Sequence, residues 1–86
     1  MNIELSLFGA FRQFEPAARV QLDVPEDAHV GDVRSALADY AAANWSDFRP
    51  ALLRVSAFAS ERAVLRDADP VPSDGRMAVL PPVSGG

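Results

Sequence analysis

The sequence has 86 residues, a formal net charge of −4, no cysteine and one histidine. A chain of this length folds as one domain with a modest hydrophobic core, and without cysteine it has no disulfide, no thiolate zinc site and no cysteine nucleophile. The single histidine argues against a histidine metal cluster or a histidine-based hydrolytic triad, and the negative charge argues against nucleic-acid and membrane partners.

The sequence contains no apolar segment approaching the roughly 20 residues that are needed to cross a bilayer. Residues 1–10 enter a strand-like alternation and contain no basic leader region. We therefore expect a cytoplasmic protein.

All eight basic residues are arginines. One copy of this chain therefore offers no lysine amine to an activated carboxyl group on another copy. A GC-rich genome accounts for the same composition without a functional meaning.

Two segments near the N-terminus alternate apolar and polar residues with a period of two, the pattern of a half-buried strand. The first spans 3–8 and is interrupted by Gly9, and the second spans 20–24 and is closed by Pro25. The turn-forming residues 15–18 between them predict an antiparallel hairpin with a loop longer than two residues.

From Val30 to Asn44 the apolar residues recur every three or four positions, which predicts an amphipathic helix. Glu26 and Asp27 precede it, where negative charge suits the positive end of the helix dipole. Pro50 is predicted to prevent the helix from continuing.

The C-terminal half contains further strand-like segments separated by turn-forming residues. Asp67–Pro70 is predicted to be a loop and Ser73–Gly75 a turn. The predicted strands are 52–58, 62–65 and 76–80.

This β-β-α-β-β-β order belongs to the α+β class and resembles the β-grasp, or ubiquitin-like, fold. In that fold one main helix packs across one face of a mixed four- to five-stranded sheet, and the other face meets water or a partner. We expect residues 1–80 to form this domain and residues 81–86 to form an extended flexible tail ending in Gly-Gly.

Several polar residues are candidates for chemistry but are better explained by local structure. His29, directly before the helix, is interpreted as a solvated loop residue or an imperfect cap. The acidic groups Glu26–Asp27 and Asp67–Asp69 lack calcium-loop spacing and are interpreted as solvated loops. Gly31 belongs to no nucleotide-binding motif.

The first and last strands predict an apolar patch on the face of the sheet away from the helix. Alternation that buries the odd-numbered apolar residues of the first strand leaves Phe8 on this face, and Val79 and Leu80 must point opposite ways. We expect Phe8 and Leu80 to form a partner-binding patch with Arg12 nearby. The alternative is that one or both enter the core through a bulge near Gly9.

The sequence closes with PPVSGG. Pro81 and Pro82 stop the sheet and project the chain in an extended form, and six residues reach about 20 Å. Gly85 and Gly86 carry no side chain, so they fit a narrow channel that leads to another protein's catalytic groups. The alternative is an ordinary frayed end or a cloning remnant.

With LFGAFRQF near its start and SDGRMAVLPPVSGG at its end, the sequence resembles the ubiquitin-like sulfur-carrier family of MoaD and ThiS. The similarity covers the whole chain and is strongest to the small subunit of molybdopterin synthase, MoaD. Two segments depart from the family pattern: His29 stands where Thr or Ser often precedes Val-Gly-Asp, and VSAFASERAVL lacks the usual Val-Asn turn.

The resemblance implies a sulfur donor that is not catalytic alone and binds no metal or permanent cofactor. An E1-like, MoeB-like adenylyltransferase and sulfurtransferase would use ATP to adenylate the carboxylate of Gly86, and sulfur would displace AMP to leave a thiocarboxylate. Docked on the large, MoaE-like synthase subunit in a heterotetramer, the tail would give this sulfur to cyclic pyranopterin monophosphate in molybdenum cofactor biosynthesis.

The resemblance also assigns roles along the tail and the exposed patch. Phe8, Arg12 and Leu80 would bind the partner. Gly86 would carry the adenylate and thiocarboxylate, Gly85 would give clearance, and the remaining tail residues would span the gap: Pro81, Pro82, Val83 and Ser84. Other functions stay open: a sulfur carrier for cysteine, thiamine or a secondary metabolite, a ubiquitin-like protein modifier, or a plain binding module.

Overall fold

The computed structural model describes residues 1–82 and contains one five-stranded sheet with the strand order β2-β1-β5-β3-β4. The strands are β1 (Asn2–Leu7), β2 (Arg19–Asp23), β3 (Ala57–Ala59), β4 (Val64–Leu65) and β5 (Arg76–Leu80). The helices are α1 (Val30–Asn44), α2 (Pro50–Arg54) and a 3₁₀ helix (Gly9–Gln13) between β1 and β2.

The strands that come first and last in the sequence lie side by side in the sheet. β1 pairs with β5 in parallel, with Leu5 opposite Met77 and Leu7 opposite Val79. The remaining pairs, β1 with β2, β3 with β5 and β3 with β4, are antiparallel. The predicted mixed sheet is therefore confirmed.

The hydrophobic core lies between the sheet and α1. Four α1 residues at helical spacing are buried: Val30, Val33, Leu37 and Ala41. They share one cluster with alternate residues of the central strands, among them Ile3, Leu5, Leu7, Met77 and Val79. Burial of each large apolar side chain contributes about 1.5–3 kcal/mol relative to exposure. The helix α1 covers only this one face of the sheet.

The start of α1 is capped within its own first turn. His29 is the N-cap residue, and its backbone N–H donates to Asp32 Oδ2 at 2.9 Å. This carboxylate satisfies a backbone donor next to the helix and places negative charge at the positive end of the dipole. Glu26 and Asp27 lie in the preceding turn and are exposed.

The predicted strand 52–58 is wrong over its first half. Residues 50–54 form α2, and β3 contains only 57–59. Pro50 occupies the first turn of α2. Backbone N–H groups in a first turn have no partner within the helix, so the missing N–H of proline costs no hydrogen bond there. Within residues 1–82, no helix has the length and apolar character required to cross a membrane.

Candidate functional site

The first residue of the tail, Pro81, lies beside the end of β1, in a notch formed by the missing side chain of Gly9. Pro81 directly follows β5, and its ring contacts Gly9, which has a φ of +57°. A Cβ atom placed on Gly9 would lie 2.5 Å from Cγ of Pro81, closer than real Cβ contacts allow. Of the predicted tail residues, Pro81 and Pro82 are described, whereas Val83, Ser84, Gly85 and Gly86 lie outside the described residues.

The exposed patch predicted from the sequence begins at the same corner. Leu7 pairs with Val79, so Phe8 and Leu80, each one residue further along, follow at the same end of neighbouring strands. The side chain of Phe8 is 47% exposed, so it does not enter the core, and Leu80 is half-buried. Arg12 is exposed in the 3₁₀ helix that starts directly after Phe8. We call these three residues the docking face, and their role in partner binding stays a prediction.

A shallow groove continues from Phe8 along the face of the sheet opposite α1. Its volume is about 280 Å³. It is bordered by both acidic and basic side chains as well as small ones, and its lining includes Glu4, Ser6, Phe8, Glu61, Arg76 and Ala78. The open face of the sheet is therefore mixed in polarity, with its large apolar side chain at the tail end.

An aromatic cluster holds the 3₁₀ helix against the end of α1. Phe11 is fully buried, with its ring centroid 6.4 Å from those of Trp45 and Phe48. Phe14 stacks on Trp45 with centroids 5.1 Å apart. Such pairs add about 0.5–1.5 kcal/mol beyond their buried area, so the segment that carries Arg12 is anchored on its inner side.

Glu15 joins this cluster through its carboxylate. Oε1 accepts hydrogen bonds from the Tyr40 hydroxyl at 2.7 Å and from Nε1 of Trp45 at 3.0 Å. These bonds, the one from Tyr40 most of all, lower the pKa of Glu15 below its usual value, and the same bond raises the pKa of Tyr40. Local sequence patterns do not predict this contact, because the partners are far apart in the chain.

A second interaction that local sequence patterns do not predict involves Arg34 of α1. Its Nη2 donates to Asp67 Oδ1 at 2.8 Å, and its Nη1 donates to the carbonyl oxygens of Leu53 and Ser56 at 2.6 and 2.9 Å. The guanidinium also lies 4.8 Å from the centroid of the Phe58 ring. Arg34 therefore fastens α2, the start of β3 and the Asp67 loop to α1.

The other polar candidates occupy structural positions. His29 is exposed at the start of α1. Asp67 pairs with Arg34 rather than remaining a purely solvated loop residue, and Asp69 Oδ2 accepts the backbone N–H of Arg66 at 2.7 Å. Gly31 donates its N–H to the Asp67 carbonyl. Residues 1–82 contain no group of three or more histidine, aspartate or glutamate side chains that could hold a metal ion.

No protein-family model and no curated protein matches the sequence. Among solved structures, SAMP1 from Haloferax volcanii superposes with a TM-score of 0.72 at 24% identity, with 100% of both chains covered. The H. volcanii small archaeal modifier protein 1 superposes with a TM-score of 0.68 at 20% identity, covering 95% of this chain and 98% of that chain. With the five-stranded sheet and its one main helix, these matches show that the chain has the ubiquitin-like β-grasp fold.

Proposed function

We propose that this protein is a ubiquitin-like sulfur carrier whose Gly86 carboxylate is activated by adenylation and converted to a thiocarboxylate. The observation that carries the proposal is the position of Pro81 and Pro82. They leave the central strand β5 beside the exposed Phe8, on a β-grasp fold, and the sequence continues from them as Val-Ser-Gly-Gly.

The chemistry requires an electrophile that a carboxylate alone does not provide. An oxygen of the Gly86 carboxylate attacks the α-phosphorus of ATP, and pyrophosphate leaves. The terminal sulfur of an enzyme persulfide then attacks the acyl carbon and expels AMP, which gives an acyl disulfide. A second thiol reduces this disulfide, releases the thiocarboxylate and is itself oxidised to a disulfide. All of these reagents belong to the activating enzyme, so the carrier needs no thiol of its own.

The geometry supports a partner that grips the docking face and receives the tail. Phe8 and Leu80 follow the ends of adjacent strands at the edge from which the tail leaves. Exposed apolar side chains of this kind serve as interface anchors. An enzyme that buries Phe8 therefore holds the start of the tail at a defined distance from its nucleotide site. An E1-like adenylyltransferase and sulfurtransferase is the partner that this arrangement fits.

We assign molybdenum cofactor biosynthesis as the destination of the sulfur, because the segment SDGRMAVLPPVSGG resembles the small subunit of molybdopterin synthase. A large, MoaE-like subunit would then bind the loaded carrier and direct the thiocarboxylate to cyclic pyranopterin monophosphate. Both steps would take place in the cytoplasm, and ATP would be bound by the activating enzyme rather than by this chain.

The test is the intact mass of the protein after incubation with an E1-like activating enzyme, ATP and a persulfide sulfur source. We expect the mass gain that replacement of one oxygen by one sulfur produces, and we expect none without ATP. A control chain lacking Gly86 should gain no sulfur. The proposal is wrong if the full chain stays unmodified while the same enzyme loads another carrier in parallel.

A second candidate function is protein modification, in which Gly86 is joined to lysines of other proteins. The likeness to a small archaeal modifier protein favours it, and it begins with the same adenylation. Isopeptide-linked conjugates in cells that carry an epitope-tagged chain would support it. Because the sequence contains no lysine, such conjugates should contain no lysine-linked chains of this protein.

A further inference from the structure

We propose that Gly9 is a positioning residue for the tail: the space beside it receives the Pro81 ring and so sets the direction in which the chain leaves β5. The consequence for sulfur loading rests on the proposed function. The positioning itself rests only on contacts among described residues.

Two separate features favour glycine at this position. The φ of +57° lies in the left-handed region, where a side chain costs about 1–2 kcal/mol. A Cβ would also lie 2.5 Å from Cγ and 3.3 Å from Cδ of Pro81. Any side chain at Gly9 therefore has to push the proline ring out of its place.

Neither partner in this contact can move easily. Gly9 begins the 3₁₀ helix, which is anchored by the fully buried Phe11, and it follows β1, where the backbone N–H of Leu7 donates to Ala18. Pro81 directly follows β5, and its ring restricts its own φ. A contact between two held segments fixes the orientation of the Pro81 ring and so the direction of the chain at Pro81 and Pro82.

The docking face and the tail then have separate roles in the loading reaction. The docking face provides affinity for the activating enzyme, whereas the contact between Gly9 and Pro81 aims the carboxylate at the nucleotide. Loss of the contact between Gly9 and Pro81 should lower kcat and leave KM nearly unchanged. Misplacement of a reacting group by about 1 Å can cost on the order of a hundredfold in rate.

The chain supplies a matched control at the other end of β5. Gly75 directly precedes this strand and has a φ of +69°, and a Cβ there would lie 2.7 Å from the backbone oxygen of Asn2. Gly75→Ala therefore combines a left-handed φ with a steric clash, as Gly9→Ala does, but the clash is with the backbone of β1 and not with a proline ring. It does so at the end of β5 opposite to the tail.

The direct test uses a single spin label, which is straightforward because the chain contains no cysteine. In a Ser84→Cys background the label broadens the backbone amide signals of whichever residues lie within its range. We expect Gly9→Ala to change which amides are broadened and Gly75→Ala to leave the pattern as it is. An unchanged pattern in Gly9→Ala, or an equal change in both variants, would overturn the proposal.

Where Gly9→Ala does not fold, Pro81→Ala takes its place, since it removes Cγ and Cδ from the notch and leaves Gly9 intact. The same change in broadening is then expected. A pattern identical to that of the unsubstituted background would overturn the proposal in this arm also.

The loading reaction provides a double-mutant cycle with Gly9→Ala, Pro81→Ala and the double variant. We expect kcat to fall by about tenfold or more in each single variant with little change in KM, and the double variant to be no slower than the slower single one. Effects that multiply, or a rise in KM in place of the fall in kcat, would contradict a shared positioning role. If the unsubstituted chain accepts no sulfur, the proposed function fails while the label experiment still decides the role of Gly9.

Discussion

The two faces of the sheet differ in what their side chains do. The face under α1 carries fully buried apolar residues such as Leu5 and Val79, and it accounts for most of the stabilisation. The open face carries Phe8, Glu4 and Arg76 around a shallow groove and leads to the tail. Substitutions on the covered face should therefore change the free energy of unfolding, and substitutions on the open face or the tail should change the reaction with partners.

Removal of Gly85 and Gly86 is expected to have the largest effect on sulfur loading and none on the melting temperature. The deletion should abolish sulfur loading completely, because the reactive carboxylate then lies two residues short of the partner's nucleotide site. The melting temperature should not change, since the core residues of the described part of the chain, 1–82, lie at positions up to Val79. Intact mass and thermal unfolding measure the two quantities. A Val83→Ala chain serves as the full-length control, and residual loading of the truncated chain would contradict this expectation.

On the covered face, Leu37→Ala should produce the largest loss of stability. Leu37 is fully buried in α1, and truncation of such a side chain costs about 2–5 kcal/mol of unfolding free energy. Val55→Ala is the matched control, because Val55 is 64% exposed and should change stability by less than about 0.5 kcal/mol. Urea unfolding followed by circular dichroism compares them, and equal effects would show that burial does not determine the difference.

On the open face, Phe8→Ala should raise the KM of the activating enzyme by about tenfold, the effect of losing roughly 1.4 kcal/mol of binding energy. Its melting temperature should stay close to that of the parent, because Phe8 is 47% exposed. Val64→Ala removes an apolar side chain that is 67% exposed from β4, which β3 separates from β5, and it should leave KM unchanged. A similar rise in KM for both variants would mean that Phe8 is not a specific anchor.

The smallest expected effect concerns the pH dependence of stability at the aromatic cluster. The folded-state pKa of Glu15 is lowered from 4.5 by its bonds to Tyr40 and Trp45. Its contribution is therefore complete above pH 4.5 and is lost as the pH falls through the folded pKa. Glu15→Gln should weaken this loss of stability on the acid side, as measured by urea unfolding with Trp45 fluorescence at a series of pH values.

The alkaline side provides a complementary test of the same hydrogen bond. The folded-state pKa of Tyr40 is raised above 10.0, first by its bond to Glu15, so its contribution is present below pH 10.0 and is lost as the pH rises through the folded pKa. Tyr40→Phe should reduce both the alkaline loss and part of the acid loss. Unchanged acid behaviour in this variant would contradict the assignment to this pair.

Much of the fold could be predicted because the local periodicity of apolar residues determines it. The alternation of β1, β2 and β5 and the helical spacing of α1 reflect burial on one side, and the structure confirms them to within one residue. The strand predicted over 52–58 was wrong because Leu52 and Leu53 suit a short helix as well as a strand. Pro50 is also favourable in the first turn of a helix.

The parts of the candidate site that depend on the alternation of one strand could be predicted. The contacts between segments distant in sequence could not. The exposure of Phe8 followed from its position directly after β1, where the alternation of the strand points it away from α1. The contact between Gly9 and Pro81, like the bonds of Arg34 and Glu15, joins residues far apart in sequence. No periodicity within one element carries that information.

The parallel pairing of β1 with β5 also brings together the two strand ends that carry the docking face. This pairing joins the first and last strands of the described sheet, so it is the strand pair with the greatest separation in sequence. Both the notch at Gly9 and the alignment of Phe8 with the tail depend on it. Under the proposed function, a copy in which β1 and β5 are unpaired would lack the surface that the activating enzyme binds, so ATP would be used only on folded copies.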